Sequence, residues 1–293
     1  MPTIHTNGVT LHYLKAGSGP DLIMLHGMSG NLATWHHRLV PLLLPHFRIT
    51  TYDLRGHGRS SMPPSGYTTR DMAADLLGLM DALGIERADL AGHSFGADIA
   101  LHFALLHPDR ARTLTLIEPG IPALVHERTH GEWEGWRRWA RDLEYLTGIA
   151  VPRERRNDLG YMMRRSIEVR ATSNARTGRP QRNDRVFTLL DTTTILADHE
   201  VVDELTLANI AAIRHPKLLV CDGNSASISS FEVLRRLLLN CTPLVVPGTE
   251  MPHFAPLEAP PPLIAHVTRF LGIEDHLDAV SPAPVAIPVQ EQI

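Results

Sequence analysis

Lysine is nearly missing from this 293-residue chain; Lys15 and Lys217 are the only two, and the other cations are arginine, a bias that reads as coding preference more than chemistry. Cysteine is as scarce. Cys221 and Cys241 stand alone, which excludes a disulfide framework. Cys221 closes one predicted strand and Cys241 opens the next. Parallel pairing then sets them roughly 15 Å apart at about 3.3 Å per residue, beyond disulfide reach. The expectation is a reduced, cytoplasmic protein. No apolar run reaches membrane length, and no charged-then-apolar leader opens the chain, so no membrane role is expected. Neither charge sign dominates: the net charge is -4, which argues against a nucleic-acid partner. The arginines of 128–185 are interleaved with Glu132, Glu134, Asp142, Glu144, Glu154 and Asp158, the pattern of a solvated, salt-bridged helical surface. No metal-ligand cluster and no Gly-rich phosphate loop is visible. No metal and no cofactor is therefore expected.

What is present is concentrated at residues 88–106. An apolar run from Ala88 to Ala91 meets Gly92-His93-Ser94-Phe95-Gly96, and a helix-like stretch to Leu106 follows. This is G-x-S-x-G between a strand and a helix, the context in which a serine is presented on a sharp turn. Gly92 and Gly96 are required because a Cβ at either place would strike the neighbouring strand or helix. Ser94 is the candidate nucleophile.

Around it the chain alternates strands and helices. Ile4–Thr6 and Leu11–Leu14 flank the turn Asn7-Gly8 as a hairpin. Strands follow at Leu22–Leu25, Arg48–Tyr52 and Thr113–Ile117, with helices predicted over Asn31–Leu44 and Thr69–Leu83. After Pro119 the rhythm stops, and the segment to Arg214 reads as helices alone. It resumes with a strand ending at Cys221, a helix near Phe231–Leu239, a strand Thr242–Val246 and a last helix Leu263–Leu271. The fold class is α/β, a mostly parallel sheet flanked by helices, with an inserted helical cap. The domain reading is a core at 1–121 and 214–275, a cap at 122–213, and a Pro-rich, disordered tail at 276–293.

A serine hydroxyl attacks a carbonyl only when a base takes its proton and a third group orients the base. Of seventeen histidines, His253 lies in the loop between the last strand and the last helix, where the base must stand; His266, inside that helix, is the weaker candidate. Two backbone amides must face the developing oxyanion. Phe95 supplies one. Met28 supplies the other, from the loop His26-Gly27-Met28 after an early strand, with Gly27 allowing close approach.

These segments, together with Asp53-Leu54-Arg55-Gly56-His57-Gly58-Arg59-Ser60 and His253-Phe254, resemble the α/β-hydrolase superfamily, lidded branch, over residues 3–121 and 214–272. In that family the histidine at His57 is a structural loop residue. Most members carry the triad acid after the strand that follows the cap, in a pattern like G-x-x-D. Here that stretch is Asp222-Gly223-Asn224-Ser225-Ala226, with Ala226 in the acid's place. Two carboxylates remain: Asp222, early in the loop, and Glu118, at the end of the strand after the nucleophile helix. The Glu118 arrangement resembles zearalenone-type lactonases and certain haloalkane dehalogenases, and it is the preferred reading. Pro252, where glycine usually precedes the histidine, is a smaller departure.

The resemblance implies a serine hydrolase acting on a carboxylic ester or lactone, with Ser94, His253 and Glu118 catalytic and the amides of Met28 and Phe95 as oxyanion hole. Gly27, His93, Trp133 and Trp136 are the candidate substrate contacts. Trp133, Trp136 and Trp139 at three-residue spacing serve equally as an aromatic wall or as an apolar stripe packed on a core. The expected partner is a small hydrophobic ester or lactone, and a homodimer is a permitted assembly. Alternatives with the same triad are C–C bond hydrolysis, thioester cleavage and acyl transfer; a ligand-binding receptor with little turnover is the rival of another class.

Overall fold

In the computed structural model, which describes residues 1–124, 134–176, 184–248, 253, 256 and 259–273, eight strands share one sheet. They are Thr3–Thr6 (β1), Val9–Ala16 (β2), Asp21–Leu25 (β3), Arg48–Tyr52 (β4), Ala88–His93 (β5), Ala111–Ile117 (β6), Lys217–Asp222 (β7) and Cys241–Val246 (β8). The spatial order is β1-β2-β4-β3-β5-β6-β7-β8. β1 and β2 pair antiparallel, as does β2 with β4; every later pairing is parallel.

The core strands are buried along their whole length, as continuous apolar runs covered on both faces must be. Alternate residues serve opposite faces: Ile23 and Leu25 join one apolar cluster, Leu22 and Met24 the other. The first cluster takes the helices Thr69–Ala82 (α3), Phe95–Leu106 (α4) and Ile228–Leu237 (α10). The second takes Ala33–His36 (α1), Leu39–Leu43 (α2) and Pro261–Phe270 (α11). α3 begins with a capping box, Thr68 and Asp71 each bonding the other's backbone N–H.

One expected helix is two. The stretch 31–44 divides into α1 and α2 because Pro41 has no N–H to donate; the helix restarts at Leu39 so that Pro41 falls in a first turn, where none is needed. The cysteines lie as expected. Cys241 pairs with Lys217 and Cys221 with Val245, so the two thiols are four register positions apart and both are free.

Between β6 and β7 the described residues form only helices and short turns: Glu134–Thr147 (α5), Leu159–Arg176 (α6), Asp184–Thr192 (α7), Ile195–Asp198 (α8) and Leu207–Ala212 (α9). No helix among the described residues is long and apolar enough to cross a membrane. The expected tail, 276–293, lies outside the described residues.

The order of strands locates the site. From β3 the chain passes to β4 on one side, then returns to place β5 on the other. At such a reversal the loops leaving two neighbouring strands part in opposite directions and open a crevice at the strands' carboxyl ends. The loops concerned carry His26-Gly27-Met28 and Ser94.

Candidate active site

Ser94 caps α4 with φ 52° and ψ −122°, a backbone conformation an L-residue adopts only when its surroundings enforce it. The enforcement is visible on both sides. A Cβ on Gly92 would lie 2.3 Å from the carbonyl oxygen of Gly96, and one on Gly96 would lie 2.3 Å from that of Leu25. Helix α4 is thus seated directly on β3 and β5, and no residue larger than glycine fits either contact. The Ser94 N–H donates to the Ile117 carbonyl at 2.8 Å, tying the turn to the end of β6.

His93 pairs with Ile117 in the sheet register, so the next residues, Ser94 and Glu118, leave neighbouring strand ends side by side. Glu118 has φ 51° and His253 φ 74°. All three members of the expected triad therefore sit at positive φ, where a non-glycine residue is uncommon. The imidazole of His253 joins them: Nε2 lies 3.0 Å from Ser94 Oγ, and Nδ1 lies 2.7 Å from Glu118 Oε2. Both ring nitrogens are engaged, one by the hydroxyl and one by the carboxylate. The His253 side chain keeps 34% exposure while that of Glu118 has 0%, so the imidazole is reachable and the carboxylate is sealed.

A sealed carboxylate is costly unless it is hydrogen-bonded. Glu118 accepts the Asp222 N–H on Oε1 at 3.1 Å, and the Ser225 hydroxyl and His253 Nδ1–H on Oε2. Burial alone pushes its carboxyl up. The charge and hydrogen bond of His253, the bond from Ser225 and the proximity of His93 together outweigh burial and hold it below the ordinary carboxylate range. Glu118 is ionised and held in one orientation.

Asp222, the other carboxylate considered, is fully buried at the end of β7, where its Oδ1 accepts the Asn224 N–H at 2.7 Å. Its backbone N–H is the donor to Glu118 Oε1.

The loop 26–32, expected to hold an oxyanion, is built from below. Among the described residues, the amides of Met28 and Phe95 have no acceptor. A Cβ on Gly27 would stand 3.2 Å from Ser94 Cβ, which puts this loop against the nucleophile turn. His26 Nδ1–H donates to the Gly27 carbonyl at 2.8 Å while Nε2 accepts the Leu54 N–H at 3.0 Å. That pairing needs a neutral ring, and burial, with His57 beside it, lowers the His26 pKa to about 3. His57 reaches the Met28 carbonyl at 2.5 Å, and Asp53 accepts the N–H groups of Leu32 and Arg59 at 2.9 Å each. The stretch 53–60 is thus the brace of the 26–32 loop, in keeping with a structural role for His57.

His93 and Trp136, candidate substrate contacts, are both buried against protein neighbours. His93 is 4% exposed and its Nε2–H donates to the His253 carbonyl at 2.6 Å, so it ties down the His253 backbone. Trp136 is 5% exposed, stacks on Trp139 with ring centroids 5.7 Å apart, and packs with Leu143, Val151 and Met162 between α5 and α6. The apolar-stripe reading describes it. Trp133 lies outside the described residues. Two contributors escaped the sequence reading. Ser225 is one; the gap at Ala226 drew attention to its loop but not to its hydroxyl. Asp98 is the other, one helical turn beyond Ser94, whose Oδ1 accepts the Ile121 N–H at 3.0 Å and holds the segment following Glu118.

A family model described as alpha/beta hydrolase fold matches residues 20–182. Epoxide hydrolase 3 of Siraitia grosvenorii is 36% identical over 165 residues, covering 53% of this chain and 49% of that protein. Fluoroacetate dehalogenase of Burkholderia sp. is 39% identical over 127 residues, covering 42% and 41%. The chain thus spans half or less of the length of these relatives. The enol-lactonase from Burkholderia xenovorans LB400 superposes with a TM-score of 0.64 at 24% identity, covering 92% of this chain and 99% of that one; at such identity the likeness is one of fold.

Proposed function

The chain belongs to the α/β-hydrolase fold family, and on that footing we propose that it is a serine hydrolase cleaving a carboxylic ester or lactone of a small hydrophobic molecule. The observation that carries the reading is the His253 ring, bonded through Nε2 to Ser94 Oγ and through Nδ1 to Glu118. In this mechanism Ser94 Oγ attacks the substrate carbonyl as its proton passes to His253 Nε2. Glu118 stabilises the imidazolium that forms. The carbonyl oxygen, now negative, is held by the amides of Met28 and Phe95. Collapse expels the alcohol, which takes the proton from His253 and leaves Ser94 acylated. Water then repeats the sequence, with His253 as base, and releases the acid.

Sequence relatives named as an epoxide hydrolase and a dehalogenase invite another reading. The nucleophile argues against it. A serine that opens an epoxide or displaces a halide becomes an ether, which water activated by His253 does not cleave, whereas an acyl-serine is an ester and turns over. Residue 94 is Ser, so acyl chemistry is the reaction it completes. The helices between β6 and β7 belong to the same reading as a cap that selects the acyl or leaving group.

The test is hydrolysis of p-nitrophenyl butyrate by the wild type and by Ser94→Ala, which loses at least about 10⁴-fold in turnover if the serine is the nucleophile. Labelling of Ser94 by a fluorophosphonate checks nucleophilicity apart from substrate choice. Retained esterase activity in Ser94→Ala sinks the mechanism; absence of labelling in the wild type favours a binding protein.

A further inference from the structure

The acid of this site is a glutamate, and a glutamate has one more rotatable bond than an aspartate to be held still. Its carboxylate plane is set by what β7 and the loop after it donate. The Asp222 N–H fixes Oε1 at 3.1 Å, and the Ser225 hydroxyl fixes Oε2, the same oxygen that receives His253 Nδ1–H. Ser225 is itself immobilised. It is 0% exposed, its N–H donates to the Asp222 carbonyl at 3.0 Å, and its Oγ accepts the Ser227 N–H at 3.1 Å. With one lone pair of Oγ taken by Ser227, the hydroxyl proton is left to point at Glu118. The donation therefore runs one way, from Ser227 through Ser225 to the carboxylate.

We infer that Ser225 is a positioning residue for the Ser94–His253–Glu118 unit: by sharing Oε2 with His253 it orients the carboxylate and limits how much negative charge His253 meets. The inference rests on Glu118 being the acid. The loop that in the resembling family carries an acid here carries Ala226 and, one residue earlier, the hydroxyl that holds an acid standing on the neighbouring strand. Two consequences follow from the geometry. Loss of the Ser225 hydroxyl leaves His253 as the sole partner of Oε2 among the described residues, so the Glu118–His253 hydrogen bond tightens and a proton is retained on the base to higher pH. It also frees the carboxylate to rotate, which costs turnover more than binding. The titratable groups facing Glu118 are His253, His93 on β5, and Cys221 and Asp222 on β7; all of them are retained in a Ser225 variant.

The experiment compares wild type, Ser225→Ala, Ser225→Thr and Glu118→Gln by the proton resonance of His253 Nδ1–H in nitrogen-15-labelled protein and by the pH profile of p-nitrophenyl butyrate hydrolysis. In Ser225→Ala the resonance moves downfield, the acid limb of kcat/KM moves up by about half a pH unit or more, and kcat falls about tenfold at unchanged KM. Ser225→Thr, which keeps the hydroxyl, restores both, and Glu118→Gln shifts the resonance strongly upfield. Should the alanine variant not fold, Ser225→Cys, with similar volume and a weaker donor, gives the same displacements at smaller size. A folded variant without the hydroxyl whose resonance and acid limb coincide with wild type overturns the inference while leaving the esterase reading intact. A displaced resonance in a protein that hydrolyses no ester sustains the positioning role and removes the esterase reading instead.

Discussion

Glu118 and His253, 135 residues apart in the chain, meet with Oε2 and Nδ1 2.7 Å apart, both on backbones with positive φ. Such conformations persist only where the surrounding structure over-determines them, and here the surroundings include the ends of β5, β6 and β7. The pairing makes a prediction that separates the two carboxylates. Glu118→Gln leaves the volume unchanged but removes the charge that stabilises an imidazolium, so kcat for an ester falls roughly 10³- to 10⁴-fold. Asp222→Asn keeps the backbone N–H that serves Glu118 and an oxygen for Asn224, and stays within about tenfold of wild type. Steady-state kinetics of the two variants decide it; the reverse ranking transfers the acid's role to Asp222.

Acid stability follows from the same group. The folded-state pKa of Glu118 is depressed from its ordinary 4.5, so its ionised form stabilises the fold at and above that pH. As pH falls from there through the folded value, the carboxylate takes up a proton and that contribution is lost. Below pH 4.5 the melting temperature of wild type therefore declines more steeply than that of Glu118→Gln. Parallel curves for the two proteins between pH 3 and 6 would show that the depression is absent.

The stretch 53–60, which braces the 26–32 loop, depends on a buried ion pair. Arg55 grips Asp75 through Nε at 2.6 Å and Nη2 at 2.5 Å, and its Nη1 donates to the Gly66 carbonyl at 2.6 Å. Removing only the cation leaves a carboxylate whose residue is 1% exposed with no opposite charge and the Asn7 amide as its remaining side-chain donor at 2.9 Å. Arg55→Met is expected to destabilise by about 3–5 kcal/mol, and Arg55→Met with Asp75→Leu by much less, because the double change removes the stranded charge as well. Urea denaturation of the three proteins reads the difference. A double variant no more stable than Arg55→Met contradicts this account.

What was legible in the chain was whatever depends on local sequence. Gly92 and Gly96 announce the turn at Ser94 because their neighbours leave no room for a Cβ. Glu118 is legible as a polar residue placed just beyond an apolar strand run, and His253 as a histidine in the loop between the last strand and the last helix. The helix break before Pro41 was also written in the chain, yet hydrophobic periodicity carries across it and hid the division. Ser225 and His93 were not legible as supports of the site, since each acts on a residue more than a hundred positions away and only the strand order brings them together. Trp136 shows the opposite limit. Its spacing fitted two roles, and the pairing of α5 with α6 decided for packing.

His93 supplies the last prediction. Its Nε2–H donates to the carbonyl of His253, and the two rings lie 5.0 Å apart. A residue held at φ 74° needs its carbonyl fixed if its side chain is to keep station between Ser94 and Glu118. His93→Phe keeps a ring of similar size in a buried place and removes the Nε2–H donor together with the imidazole's other polar interactions, its effect on Glu118 included. The base then drifts, and displacement of a catalytic group by about 1 Å costs on the order of 10²-fold in rate. The expected result is a kcat reduced 10- to 100-fold, on that same scale, with KM and melting temperature nearly unchanged. A fluorophosphonate probe should label Ser94 correspondingly more slowly, since that reaction also needs the base in place. If His93→Phe hydrolyses and labels as wild type does, the hydrogen bond to His253 is incidental and the loop is held by its packing.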